Sequence, residues 1–307
     1  MPPRLGLKVD VDTLEGFRKG IPALLEILSA RGIKASFFVS LGPDNSGRAI
    51  FRVFRQQGFL EKMWRTRAPA LYGLRTMFYG TLLPAPLIGA GAGETLAALA
   101  SAGHEVGLHG YDHVRWHDHL LTMSREEVSR ELAQAQDIYR SFLGRAARSF
   151  AAPGWQCSGA HRDVLAGGGF LYGSDTRGLA PYFPRFGERL NPVLEIPTTL
   201  PTLDELLGFN GCSPGDFTDL VLGRLQRMEL SQVLTVHAEV EGGPLKGEFA
   251  HLLDRCREQG VEFFRLEDWA RELLQEPEKI PGARVRQARL PGRAGRVSCQ
   301  EPVEAGS

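Results

Sequence analysis

The chain alternates short apolar runs with segments of helical spacing, and keeps that alternation from its start to about residue 275. Residues 5–11 (LGLKVDV), 33–40 (IKASFFVS), 104–108 (HEVGL), 148–152, 170–174, 194–197 and 233–237 read as strands. Between them, residues 16–31 carry Phe17, Ile21, Leu24, Leu25 and Leu28 at the spacing of one helical face. Further helices are expected over 94–102, 124–142, 214–228, 247–259 and 267–275, the third opening on a Ser124/Glu127 capping box. Strands separated by helices pair in parallel, so the expected fold is a mostly parallel α/β sheet or barrel with helices outside. In such folds the chemistry sits at the carboxyl ends of the strands.

Polar residues stand at several of those ends. Asp10 and Asp12 close the first strand, and their period-two spacing points both carboxylates the same way. His109 and His113 leave the third strand four residues apart, a spacing that lets two imidazoles chelate one ion. His117 continues the spacing, but His117 and His119 are expected on the surface, and His104 at the opposite end of its strand. His237 ends the strand VLTVH, Glu239 and Glu241 continue its face, and Asp175 ends another strand in LYGSDTRG. Asp12, His109 and His113 make a two-His, one-carboxylate set that suits metal-assisted hydrolysis or a non-haem iron oxygenase. A hydrolase needs a base for water and an acid for the leaving group, which Asp10 and His237 supply. An oxygenase needs neither.

Composition narrows the classes. Lys+Arg and Asp+Glu are both 36, a balance unlike that of a nucleic-acid binder. Four scattered cysteines form neither a disulfide framework nor a zinc finger. No signal peptide is evident, and a cytosolic location is the default. Two segments break the rhythm. Residues 44–93 form an insertion. Between Arg48 and Arg75, Arg48, Arg52, Arg55, Lys62, Arg65, Arg67 and Arg75 are interleaved with aromatic and aliphatic residues against a single acid, Glu61. That pattern fits either an interfacial segment meeting anionic head groups or a solvated helical excursion packed on the barrel. The uncharged run 76–93 is long enough for a membrane span but carries Pro84, Pro86 and four glycines, so it reads as a loop. From residue 277 the chain is rich in Pro, Gly and Arg, and 277–307 is expected to be a disordered tail.

These motifs resemble the NodB-type polysaccharide deacetylases over about residues 4–275, with 1–276 as one domain. The resemblance implies a distorted (β/α) barrel. It implies one divalent ion on Asp12, His109 and His113 (Zn, Mn, Co, Ni or Fe), with Asp10 as base and His237 as acid. It implies that Asp175 orients that acid. The sequence departs from the family where Val11 separates two aspartates that are usually adjacent. It departs again where Ala151, in FAAPGW, stands in the place of an arginine that pairs with the base, and where the tryptophan after the fourth motif is missing. RLGLKVDVDT, SLGPDNSGR, HEVGLHGYDH, GSDTRG, IPTTLPTLDE, TVHAEVEG and the basic insertion are similar to one branch of the family. That branch deformylates a formamido sugar on a polyprenyl phosphate in aminoarabinose addition to lipid A, which confers polymyxin resistance. The resemblance then implies Gly154, Trp155, Arg177 and Glu239 on the substrate side. It also implies a bacterial enzyme peripheral on the cytoplasmic side of the inner membrane through about residues 48–90. The alternatives are a deacetylase of another N-acylated sugar and a non-catalytic lipid-binding barrel.

Overall fold

Eight parallel strands form one curved sheet, in which the first strand of the chain pairs with three others. The computed structural model describes residues 2–54, 75–228 and 230–301. Strand β1 (Arg4–Val11) pairs along one edge with β9 (Gln232–His237), in a register that sets Asp10 opposite His237. Its other edge pairs with β10 (Glu262–Phe264) near the start and with β2 (Ser36–Val39) near the end, where Asp10 faces Phe38. The sheet continues through β3 (Glu105–Leu108), β4 (Ser149–Phe150), β5 (Tyr172–Gly173) and β8 (Leu194–Glu195). The Thr199 and Leu200 amides both donate to Val233 O at 3.1 Å, which turns the far edge back towards β9 and curls the sheet into a barrel-like wall. The strands are buried on both faces, as parallel strands under helices must be.

The helices bury one stripe each. Ile21, Leu24 and Leu28 of α1 (Ile21–Ser29), and Leu96 and Leu99 of α2 (Gly93–Ser101), pack into the main core. Downstream of α3 (His113–His119), α4 (Arg125–Leu143) opens on the Ser124/Glu127 box and stops at Gly144, φ +66°. The helix expected over 16–31 starts instead as a π-helical turn, Gly16–Gly20. Its glycines allow this turn to press on the segment after β9, since a Cβ on Gly20 would stand 2.1 Å from Ala238 O.

The carboxyl-terminal segment corrects the expectation of disorder. Residues 282–300 form β11 (Gly282–Ala288) and β12 (Val297–Gln300), which join β6 (Phe183–Phe186) and β7 (Arg189–Leu190) in a second, four-stranded sheet. The Pro/Gly/Arg composition misled because few apolar side chains do the anchoring. Ala283, Val297 and Cys299 are buried, Val297 and Cys299 pack beside Trp155, and the Arg177 backbone is bonded to Ser298 and Gln300. Within the insertion, residues 55–74 lie outside the described residues, and with them Arg55, Lys62, Arg65 and Arg67. The described part carries a 3₁₀ helix, Ser46–Phe54, tied to α3 by Arg52 Nε on Asp118 Oδ1 at 2.7 Å. No helix among the described residues is long and apolar enough to cross a membrane.

Candidate metal centre and acid–base site

β1 and β3 deliver the candidate metal ligands. Asp12 follows β1 directly, His109 follows β3, and His113 opens α3. His109 Nε2 lies 3.1 Å from Asp12 Oδ1, and His113 Nε2 lies 3.3 Å from Asp12 Oδ2. One donor atom from each of the three falls within 4.8 Å of the others, as a shared ion requires. His109 Nδ1 lies 2.8 Å from Ala151 O, so that nitrogen donates and Nε2 keeps its lone pair for a metal. Asp12 Oδ1 is buried without a hydrogen bond of good geometry, an orphan that a cation would satisfy. Burial works against the Asp12 charge, but His113 and His109 hold its carboxyl well below the ordinary range. These residues fit a divalent ion.

A further layer positions the ligands. Asp112 caps α3 by accepting from the Arg115 amide, and Asn45 Nδ2 donates to Asp112 Oδ2 at 2.6 Å. Asp44 Oδ2 accepts from Leu14 N at 2.8 Å and fixes the turn after Asp12. The GPDNSG string therefore braces both carriers of the metal set. His117 is packed inward, contrary to the surface expectation. It bonds Asp118 at 2.7 Å, and burial, then Arg52, push its pKa down to about 3.

Asp10 and His237 stand side by side across the β1–β9 register. The partner of Asp10 was missed in the sequence. Lys8 is fully buried, and its Nζ lies 3.2 Å from Asp10 Oδ2 and donates to Ser174 O at 3.1 Å. It supplies the cation beside Asp10 that alanine at position 151 does not, and Ala151 is buried with its carbonyl serving His109. The signal was present: a lysine in an otherwise apolar strand, in phase with Asp10 and Asp12.

The partner of His237 is a second correction. Asp204 Oδ1, not Asp175, faces His237 Nδ1, at 3.7 Å. Thr202 Oγ1 holds that carboxylate at 2.6 Å, and Glu241 Oε2 accepts from the His237 amide at 2.7 Å. Asp175 is committed elsewhere. Its Oδ2 meets Arg162 at 2.7 Å and His161 at 3.5 Å, all fully buried, and Arg162 also binds Glu195. Cys157, His161 and Asp175 have donor atoms within 4.8 Å of one another in this region. Burial opposes charge on His237, but Asp204, then Asp12, Glu241 and Asp10, outweigh it and raise its pKa above the ordinary value. A general acid with a raised pKa stays protonated to higher pH. Asp204→Asn therefore moves the alkaline limb of the kcat/KM profile to lower pH, which a pH–rate series on wild type and variant will show.

Trp155 forms the wall between these groups. Its φ is +52°, in the strained left-handed region, just after Gly154 at φ +61°. A Cβ on Gly154 would stand 1.9 Å from His117 Cδ2, so glycine is required there. The Trp155 ring has Arg293 at 4.4 Å, Arg177 at 5.0 Å and Lys8 at 5.5 Å over its face, with His237 edge-on at 6.3 Å. Arg177, expected towards substrate, is held behind the ring by Glu205 at 2.6 Å and Leu200 O at 2.9 Å. Glu239 is buried with neither carboxylate oxygen hydrogen-bonded. Burial first, then repulsion from Asp12, push its pKa well above the carboxylate range.

Comparison with known proteins agrees with this geometry. Residues 6–172 match the family model described as polysaccharide deacetylase. A protein of Shewanella sediminis, named "Probable 4-deoxy-4-formamido-L-arabinose-phosphoundecaprenol deformylase", is 37% identical over 260 residues, covering 85% of this chain and 83% of its own. A protein of Wigglesworthia glossinidia brevipalpis with the same name is 31% identical, covering 94% of this chain and 99% of its own. A solved structure titled "probable Polysaccharide deacetylase from Pseudomonas aeruginosa PAO1" shares the fold, with a TM-score of 0.59, 17% identity, and coverage of 89% and 91% of the two chains.

Proposed function

The chain belongs to the polysaccharide deacetylase family, and on that premise we propose that it hydrolyses the formamide of 4-deoxy-4-formamido-L-arabinose carried on undecaprenyl phosphate, releasing formate. It is a hydrolase of a linear amide bond. The observation that carries the reading is the juxtaposition of a three-residue metal set with a buried base–acid pair in register, Asp10 beside His237. The site serves the step that yields the free amine in aminoarabinose modification of lipid A, on the cytoplasmic face of the inner membrane. Ile50, Phe51, Phe78, Leu82 and Leu87 are exposed on the described part of the insertion and support peripheral docking there.

Asp12, His109 and His113 would hold a divalent ion, which would supply Lewis acidity toward the formyl group and water. Asp10 takes the proton from the attacking water, and Lys8 holds that carboxylate in place. The Gly154 N–H faces the developing oxyanion, since the Trp155 N–H is already bonded to Ala152 O at 3.1 Å. His237, steadied by Asp204 and by Glu241 through its amide, protonates the departing sugar nitrogen. Ala151 and Ala152 leave room for the sugar ring where an arginine would stand. In this reading the buried carboxyl of Glu239 receives the product amine. Mass spectrometry of the lipid-linked formamido sugar tests the reading. Loss of one CO per molecule is expected with wild type plus metal and not with His237→Ala. Turnover of N-acetyl sugars but not the formamide would favour a deacetylase instead.

A further inference from the structure

A cavity of about 400 Å³ opens where the π-helical turn Gly16–Gly20 meets the 3₁₀ turn Thr76–Phe78. Its lining includes Leu14, Arg18, Lys19, Arg75, Thr76 and Tyr79. Lys19 pairs with Glu15, also on the wall, at 2.5 Å. No carboxylate among the described residues pairs with Arg18 or Arg75. Two guanidiniums from separate elements thus converge on one concave space where the one acid among the described lining residues, Glu15, is engaged by Lys19, and two hydroxyl side chains stand beside them. Guanidinium forks match the oxygens of a phosphate group. An isolated helical excursion on the surface would orient such charges to bulk water rather than across a shared hollow.

The cavity is coupled to the reaction centre through the chain itself. Leu14 on its wall lies two residues beyond Asp12, and its amide is held by Asp44. The turn carrying Arg18 and Lys19 is pressed onto the site, since a Cβ on Gly16 would stand 2.3 Å from Glu239 Oε2. An anion held in the hollow is therefore fixed relative to Asp12 and Glu239, not tethered on a loose loop.

We propose that this cavity binds the phosphodiester that joins the sugar to its polyprenyl carrier, so that Arg18 and Arg75 recognise the carrier-linked substrate rather than the sugar alone. The assignment rests on the deformylase reading and extends it to the selection of substrate. The test compares wild type, Arg18→Ala and Arg75→Ala, both exposed positions at which truncation spares the core. Three formamidoarabinose substrates are used: linked to undecaprenyl phosphate, linked to a short alkyl phosphate, and as the methyl glycoside without phosphate. Each variant is expected to lose about tenfold or more in kcat/KM on both phosphodiesters. Turnover of the methyl glycoside should stay within about twofold of wild type, because the chemical step is untouched. Equal losses on all three substrates would overturn the assignment. Loss confined to the long-chain substrate would also overturn it, by giving the arginines to membrane head groups. Binding of decyl phosphate by titration calorimetry decides the cavity separately from catalysis. Weaker binding by both variants supports it even should wild type turn over no formamide, and equal Kd values would overturn it.

Discussion

Asp10→Asn lowers kcat by about 10³-fold while the protein keeps its metal, whereas His109→Ala loses activity and metal together. The difference follows from position. Asp10 Oδ2 is spent on Lys8 and Asp10 stands beside His237, while its Oδ1 comes 4.0 Å from His109 Nδ1, the nitrogen bonded to Ala151 O and not the one turned to Asp12. Removal of a positioned general base costs about 10²–10⁴-fold. An asparagine still offers Lys8 an oxygen but no charge, so some stability is lost as well, and kcat is read on protein shown to be folded. His109 has two structural commitments, Nε2 on Asp12 and Nδ1 on Ala151 O, and its removal opens the ligand set from one side. Elemental analysis of the purified proteins, run beside single-turnover kinetics, separates the two losses. Retention by Asp10→Asn of more than a tenth of wild-type kcat would remove Asp10 from the role of base. Full metal occupancy in His109→Ala would remove the histidine pair from the role of ligands.

Much of this site was legible in the chain because strand periodicity and parallel topology are local signals. Asp10 and Asp12 at the end of an apolar strand, and His109 and His113 just past another, fall at the same end of the sheet by the topology alone. The capping box at Ser124 and the stop at Gly144 were equally local. Partners contributed by distant irregular segments were not legible. Asp204 lies in a short turn whose approach to His237 depends on how the segment after β8 crosses to β9, and no periodicity encodes that crossing. Asp175 ends a strand and looked available, but Arg162 from a neighbouring helix claims it in the core. The carboxyl-terminal sheet was hidden for the opposite reason. Its strands are anchored by backbone pairing to β6 and to Arg177, and by few large apolar side chains. Composition registers side chains and misses such pairing. The cost of missing it was Arg293, which caps the Trp155 ring from a segment read as disordered.

Lys8 is where the physical reading of the site meets its hardest test. A fully buried lysine is expensive unless paired, and this one has one carboxylate, one carbonyl and the faces of Phe38 and Trp155 around it. Lys8→Met keeps the length of the chain and deletes the charge, leaving the buried Asp10 without its cation. Breaking one half of a buried ion pair costs about 3–5 kcal/mol, because the remaining charge has no water to return to. A clear fall in the denaturation midpoint is therefore expected, measurable by urea titration with the m-value unchanged. The kinetic signature is separate from the stability loss. Without the Nζ 3.2 Å from its Oδ2 the Asp10 carboxylate is no longer held on the attacking water, so kcat of the folded protein is expected to fall about tenfold or more. Lys8→Arg restores charge at the same place and should return most of both properties, less the strain of a bulkier group packed between two rings. A purely structural lysine would lower stability and leave kcat in place. That outcome would return the tuning of Asp10 to some other group and leave Ala151 without a substitute for the missing arginine.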